Sequence, residues 1–564
     1  MNTTAASGTG RVIQAHQAIA EDIKALGVDT VFGLMSDDTA VFCTALHGLG
    51  IAFHGARHEN NAIAMAEGYA AATGDVGIAI LGRGPATANA LHGATYALRS
   101  GSRVLLIFGY PSIGPASPDA YGPDTKAFDS VGVLRAAGLR TFMATDAGTA
   151  RRTLSQARAA TREGAVALFL PMNVQTGTVD MAATDPGVVS DATRPPKPAR
   201  AAAIDAASAA LAKSRRPLLI AGRGAHRAGA REALVCLADH LGAALATTAK
   251  AKDMFRGYPL DCGVLGSFSH SAARRVVDQC DCIVAFGAAL TQRTTSMGAA
   301  LPAAAPLIQV EEVRANIGRW YPADIAVVAD ARLAAEQLLE AVPARTERPL
   351  HDEAIRRSLA SFDPASDFEP AATARTMDPR LCAIELDRLL PRDRNVVYDA
   401  GNMLQAFAYI SVPGPANVKM TSDFASVGMG FGTAMGFAIG AAGRPTVLVV
   451  GDGGLFMTLG ELETVVREGI PLIIVVMNDC AYGAELHYLK AHDMPVATST
   501  FPDVDFAPVA EAFGFEAATV RTQEELRALA PLLAQPDGPI LLDCKINASV
   551  AAPFMDEAAS ARRH

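Results

Sequence analysis

No cysteine pair in this 564-residue chain has the CxxC spacing of a metal knuckle or redox centre, and eight cysteines are too sparse for a disulfide-built secreted fold. They read as reduced core residues of a cytoplasmic protein. Long apolar runs are missing too. None reaches the ~18 uncharged residues of a membrane span, the longest strands being closer to PLIIVVM, so no membrane partner is expected. The first residues, MNTTAASGTGR, lack the basic start and apolar core of a secretion signal. Only 19% of residues are charged, the formal net charge is −9, and neither sign gathers in a tail or stripe. Nucleic acid is excluded as an expected partner on that ground.

Half of the residues are hydrophobic, a composition that belongs to compact globular domains, and at ~100 to 200 residues each about three are expected. Two stretches read as linkers, ATDPGVVSDATRPPKPAR (183–200) and the Pro-containing, charged region 343–379. They delimit domains at 1–190, 197–345 and 375–555. Within each, short apolar runs alternate with helical stretches: RVLLIFG and AVALFLP, then RPLLIAG, DCIVAFG and PLIQV, then NVVYDAG, TVLVVGDG and PLIIVVMND. This alternation predicts an α/β fold of three doubly wound domains with mainly parallel sheets. GAVALFLPMN (164–173) and GPILLDCKIN (538–547) are similar closing strands of the outer domains. Ten residues leave an internal duplication open.

The densest chemistry lies in VLVVGDGGLFMTLGELETVVREGIPLIIVVMNDCAYG (447–483). A buried strand runs into Gly451-Asp452-Gly453-Gly454, a helix follows, and a second strand ends at Asn478-Asp479. Ligands of open parallel sheets sit at the carboxyl ends of strands, so both ends face one crevice. Asp452 offers a hard oxygen for a divalent cation, and the glycines let backbone approach phosphate. Twenty-four residues lie between Gly453 and Asn478, room for one crossover helix.

The segment resembles the GDG…NN cofactor motif of thiamine-diphosphate-dependent enzymes. The resemblance implies thiamine diphosphate and Mg²⁺ as cofactors, with the metal on Asp452, Asp479 and the backbone carbonyl of Ala481. Asp479 departs from the usual asparagine and adds a negative charge. NVVYDAGNMLQAF (395–407) is similar to the start of the family's diphosphate-binding domain, which puts Gly401 and Asn402 near the phosphates. SVGMGFGTAMGFAIGAA (426–442) resembles the stretch before GDG, especially in benzaldehyde lyase. There a bulky apolar side chain bends the cofactor, a place that falls to Val427, with Met429 as the fallback. AYGAELHYLK (481–490) resembles the segment covering the cofactor, so Tyr482, Glu485 and His487 are expected to face it or the substrate.

GARHENNAIAMAEGYAAATGDVGIAILGRGPATANALHGA (55–94) is similar to the family's pyrimidine-binding domain, and Glu59 stands at its activating glutamate. A carboxyl hydrogen-bonded to the aminopyrimidine shifts that ring to the tautomer that takes the C2 proton. Burial favours such proton sharing over a bare anion, a reason to seat the acid among apolar groups. Two arrangements compete with this one: Glu59 as a surface cap favoured by the helix dipole, and Glu67 as the inward acid. In the family, the first domain of one subunit and the third of another enclose each cofactor. A homodimer or homotetramer with the cofactor at the subunit interface follows.

Asp37 in FGLMSDDTAVF aligns with an active-site acid of pyruvate decarboxylase, but that enzyme's paired histidines are absent around LIFGYPSIGP (106–115). Phe128 in TKAFDSVG resembles a residue lining the acetohydroxyacid synthase site. Arg83 replaces a small residue beside the cofactor, where it could hold a substrate carboxylate or pair with an acid such as Asp37. His54, His58 and His92 read as structural, and His487 as the histidine for proton transfer. The middle domain's glycine turn is too weak a signal for FAD, which is left open and not predicted. The expected partner is a small-molecule 2-oxo acid or 2-hydroxy ketone, and the expected reaction is C–C cleavage or formation beside a carbonyl. Decarboxylation, acetolactate-synthase-like carboligation, acyloin cleavage and acyl-CoA cleavage remain open, as does a non-catalytic nucleotide-binding scaffold, against which Glu59 argues.

Overall fold

The computed structural model describes residues 11–114, 125–184, 186–187, 195–441, 443–555 and 557. Positions 185 and 188–194 of the first expected linker lie outside them, as do residues 115 and 442. Three six-stranded sheets carry the chain, every pairing within them parallel. Their strands are apolar on both faces because helices cover both sides. Leu472–Asn478, for example, is buried at every position. Among the described residues no helix is long and apolar enough to cross a membrane.

The first sheet runs in space Ala52–Gly55, Thr30–Gly33, Gly77–Leu81, Val104–Tyr110, Val166–Pro171, Arg140–Met143. The third runs Val418–Met420, Asn395–Tyr398, Thr446–Gly451, Leu472–Asn478, Ile540–Lys545, Glu516–Val520. Both follow the same order, and the two similar segments, 164–173 and 538–547, supply the strand at the same place in each. The middle sheet is different, with Pro217–Ala221 and Cys282–Phe286 adjacent at the point where the strand order reverses. That is where a dinucleotide fold opens its crevice. Here the amides of Gly222 and Gly224 donate to Phe286 O at 2.9 Å and Gly287 O at 3.0 Å. The glycine turn is thus used for one loop packing on the next.

The region 343–379 is more structured than its prolines and charges suggest. Asp352 accepts from the Ala354 amide at 2.7 Å and caps a helix over Glu353–Ala360. Leu350, Ile355 and Leu359 pack onto the middle-domain core. An apolar set hidden among polar residues leaves no mark on composition.

The outer domains meet through two helices, Glu59–Thr73 and Met429–Gly440, whose apolar residues share one core. The crossing is close because glycines stand at the contact. A Cβ on Gly68 would lie 2.0 Å from Thr433 O, and one on Gly436 would lie 1.8 Å from Met65 O. Beside this crossing, Glu67 is fully buried. It accepts from Tyr96 Oη at 2.9 Å and Ser102 Oγ at 2.6 Å and ion-pairs with Lys419 of the third domain. Glu67 is therefore a fastener between domains, its oxygens occupied by protein donors.

Candidate active site

The neighbouring strands Asn395–Tyr398, Thr446–Gly451 and Leu472–Asn478 end at one cavity of about 210 Å³. Gly401, Asn402, Val427, Gly451, Asp452, Gly453, Gly454, Asp479, Ala481, Tyr482 and Glu485 all line it. The glycines are needed for space. A Cβ on Gly453 would meet the Tyr482 ring at 2.7 Å, and one on Gly454 would meet Asp399 Oδ2 at 2.5 Å. Asp452 opens the short helix Asp452–Phe456, and Asp479 follows its strand directly.

Asn478 points the other way, its amide donating to Asp543 Oδ1 at 2.8 Å. Strand alternation thus splits the Asn478-Asp479 pair into a structural and a cavity-facing member. The Asp452 and Asp479 carboxyls are both held above the ordinary carboxylate range. Burial is the main cause for each. The charge of Asp479 adds to it for Asp452, while the Ala481 amide and the Asn402 side chain oppose it for Asp479. Two buried carboxylates that repel each other at the mouth of a glycine cradle are suited to a hard dication. The Asp452, Asp479 and Ala481 donor set therefore fits Mg²⁺ with a diphosphate.

Several contacts are not given by the motifs themselves. Asp399 is fully buried, accepts from the amides of Gly428 at 2.7 Å and Gly430 at 3.0 Å, and so shapes the loop that ends at the Met429 helix. Burial pushes its carboxyl up to about 6, against those hydrogen bonds. Arg293 of the middle domain also lines the cavity and stacks on Phe554, its guanidinium 4.6 Å from the ring centroid. The amide of Asn402 donates to Val550 O at 3.1 Å and its oxygen accepts from Ala552 N at 2.8 Å, so the C-terminal segment closes one wall. Only contacts between residues far apart in the chain show these roles.

The remaining expected residues lie elsewhere. Met429 packs with Ala64 and Tyr96 at the contact between the outer domains and is not among the lining residues. His487 is half-buried on the helix Gly483–Ala491, also outside the lining. Among the described residues, none of the first domain lines this cavity. Glu59 is the first residue of its helix, 8% exposed, and accepts from Asn89 Nδ2 at 3.1 Å. The cap of that helix is His58, whose side chain accepts from the Asn60 amide. Arg83 does not pair with Asp37. Its amide donates to Asp38 Oδ2 at 2.8 Å and its guanidinium Nε lies 3.6 Å from the same oxygen. Asp38 is the buried member of the Asp37-Asp38 pair, while Asp37 is exposed and ion-pairs with Lys126. Phe128 is 42% exposed.

Comparison with known proteins agrees with this geometry along the whole chain. The thiamine pyrophosphate enzyme N-terminal TPP binding domain matches residues 13–129, the central domain 204–338 and the C-terminal TPP binding domain 399–544. The chain is 26% identical to the "Probable acetolactate synthase large subunit" of Methanocaldococcus jannaschii, over 96% of this chain and 93% of that one. It is 28% identical to the "Probable 2-ketoarginine decarboxylase AruI" of Pseudomonas aeruginosa, over 92% and 91%. A solved Mycobacterium smegmatis structure, described as thiamin diphosphate-dependent, has the same fold, with a TM-score of 0.75 at 21% identity over 95% of this chain and all of that one. Cradle, carboxylate pair and three matched domains together mean that the chain belongs to the thiamine pyrophosphate enzyme family, as an enzyme of the acetolactate synthase and decarboxylase type.

Proposed function

We propose that this enzyme decarboxylates a 2-oxo acid, with or without ligation of the product to a second carbonyl, at a cavity completed by a second copy of the chain. The observation that carries the reading is the Asp452–Asp479 pair in its glycine cradle. Asp452, Asp479 and the Ala481 carbonyl would hold Mg²⁺, and Gly401, Asn402, Gly451, Gly453 and Gly454 would leave room for a diphosphate. Val427, which lines the cavity, would support the cofactor's ring system. When bound, thiamine diphosphate supplies a nucleophilic carbon that can carry the charge left by departing carbon dioxide. Glu59 holds and returns a proton at its carboxyl oxygen, with Asn89 fixing Oε2. Tyr482 and Glu485, which line the cavity, would face the substrate; His487 stands outside the lining, and Asp37, Arg83 and Phe128 would reach the cavity only from the first domain of a second copy.

Two observations support a shared cavity. At about 210 Å³ it is smaller than the ~300 Å³ at which ligand pockets begin, so it suits the diphosphate end of the cofactor alone. Near it Phe424, Phe456 and Met457 are 40%, 43% and 56% exposed, apolar surface that a second copy would cover. Glu59 then serves the cavity of the partner subunit in a homodimer or homotetramer. Among the described residues, Arg293 is the single cationic side chain in the lining, where it would face the diphosphate. The test is carbon dioxide release from a panel of 2-oxo acids with Mg²⁺ and thiamine diphosphate, with and without an acceptor aldehyde, using Glu59→Gln as control. Cofactor binding without carbon dioxide release, with cleavage of an acyloin instead, would make the enzyme a lyase. Cofactor binding without C2-proton exchange would leave a non-catalytic scaffold.

A further inference from the structure

The stretch 421–428 joins the Val418–Met420 strand to the Met429–Gly440 helix. Three of its residues, Ser422, Ala425 and Val427, line the cavity. The residues between them are held from outside the third domain. Lys250 of the middle domain ion-pairs with Asp423. His92 of the first domain places Nε2 2.8 Å from Ser426 Oγ. Asp399 anchors the end of the stretch through the amides of Gly428 and Gly430. Ala425 lies between the two outside contacts with φ +53°. A non-glycine residue keeps that conformation only where its surroundings determine it.

The outside contacts are specific in both chemistry and place. Burial pushes the Lys250 ammonium down to about 8 against the pull of Asp423, and about a third of its side chain stays exposed beside that ion pair. His92 is one helical turn after Asn89 on the helix Pro85–Ser100, and Asn89 donates to Glu59. One face of that helix thus braces both the activating carboxylate and the cavity stretch.

We propose that Lys250 and His92 are positioning residues that act through Asp423 and Ser426 to fix the cavity floor formed by Ser422, Ala425 and Val427. The inference rests on the reading of this cavity as the cofactor site. It gives the middle domain a part in catalysis that needs no nucleotide of its own: one side of the clamp that keeps Val427 at working height.

Lys250→Met, His92→Leu and Ser426→Ala are compared with wild type as full-length, Mg²⁺-loaded oligomers, with Lys250→Arg as the conservative control. Ser426→Ala breaks the His92 contact from the stretch itself and leaves the first domain unaltered. Hydrogen exchange of peptides spanning 421–430 is followed by mass spectrometry, thiamine diphosphate affinity by calorimetry, and kcat and KM on any 2-oxo acid that is turned over. The expected result is about tenfold faster exchange confined to this stretch and about tenfold weaker cofactor binding, the scale of one lost charged or polar contact. A lower kcat at unchanged KM is expected with it, and Lys250→Arg should keep most of the wild-type values. Unchanged exchange in 421–430, or exchange that rises equally along the whole chain, would overturn the inference alone. A wild-type protein that bound no thiamine diphosphate would overturn the cofactor reading and the inference with it.

Discussion

Gly436→Ala adds one methyl group at the crossing of the Glu59 and Met429 helices. Its carbon would fall 1.8 Å from Met65 O and 2.5 Å from Met65 C, against backbone and not against a movable side chain tip. A carbon and a carbonyl oxygen do not approach closer than about 3.3 Å, so the helices must part by roughly 1.5 Å. A gap of ~0.5–1 Å already forfeits a quarter to a half of each dispersion contact. The added methyl returns at most about 0.8 kcal/mol of burial. Overpacking costs ~1–3 kcal/mol in general, and a rigid neighbour puts this substitution at about 3 kcal/mol or beyond. Glu59 starts one helix and the cavity stretch precedes the other, so cofactor binding should fall with stability. Gly48→Ala is the control: its Cβ meets nothing within 4 Å, and it should gain a few tenths of a kcal/mol in helix propensity. Thermal melting and calorimetric cofactor binding read both variants. A Gly436→Ala protein that melts with wild type and binds thiamine diphosphate normally would refute the close-packing argument.

Asp452→Asn should weaken Mg²⁺-dependent cofactor binding more than about 100-fold, the scale of losing a charged ligand. Asp479→Asn, which keeps a ligating oxygen and removes one charge from the pair, should stay within about tenfold; a loss equal to that of Asp452→Asn would refute this. Glu59→Gln should leave melting unchanged and cut turnover by about 100-fold or more, whereas Glu67→Gln strands Lys419 and should cost about 3 kcal/mol of stability. The reverse pattern would exchange the two acids. His270 caps its helix by accepting from Ala273 N at 3.2 Å, and burial pushes its imidazole down to about 4. Its folded value lies below the unfolded one, so its stabilising effect is complete above about pH 6.5 and is lost as pH falls toward 4. Partial exposure limits this to about 2 kcal/mol; His270→Asn, which keeps an accepting cap, should flatten that part of the acid denaturation curve.

Much of the site is legible in the chain because its parts are local. Strand, glycine turn, crossover and second strand lie within 447–483, and a parallel sheet brings consecutive strand ends to one edge without help from distant residues. The Asn478-Asp479 pair resolves in the same way, since side chains alternate across a strand. Sequence says less wherever a role depends on what lies opposite. Glu59 and Glu67 stand on one helix, and only Lys419, 352 residues from Glu67, shows that Glu67 fastens domains. Asp37 and Asp38 are adjacent, and only folding buries the second against Arg83. Arg293 and the contacts of Asp399, His92 and Lys250 have no sequence pattern at all.

The sequence by itself determined three parallel α/β layers, the cofactor cradle and its two carboxylates, because hydrophobic period, turn chemistry and crossover length act within a few dozen residues. Tertiary structure alone decided which acid is occupied by protein donors, that Val427 lines the cavity while Met429 packs between domains, and how three domains converge on 421–428. Those outcomes depend on burial and on hydrogen-bond partners hundreds of residues apart, which no local pattern encodes.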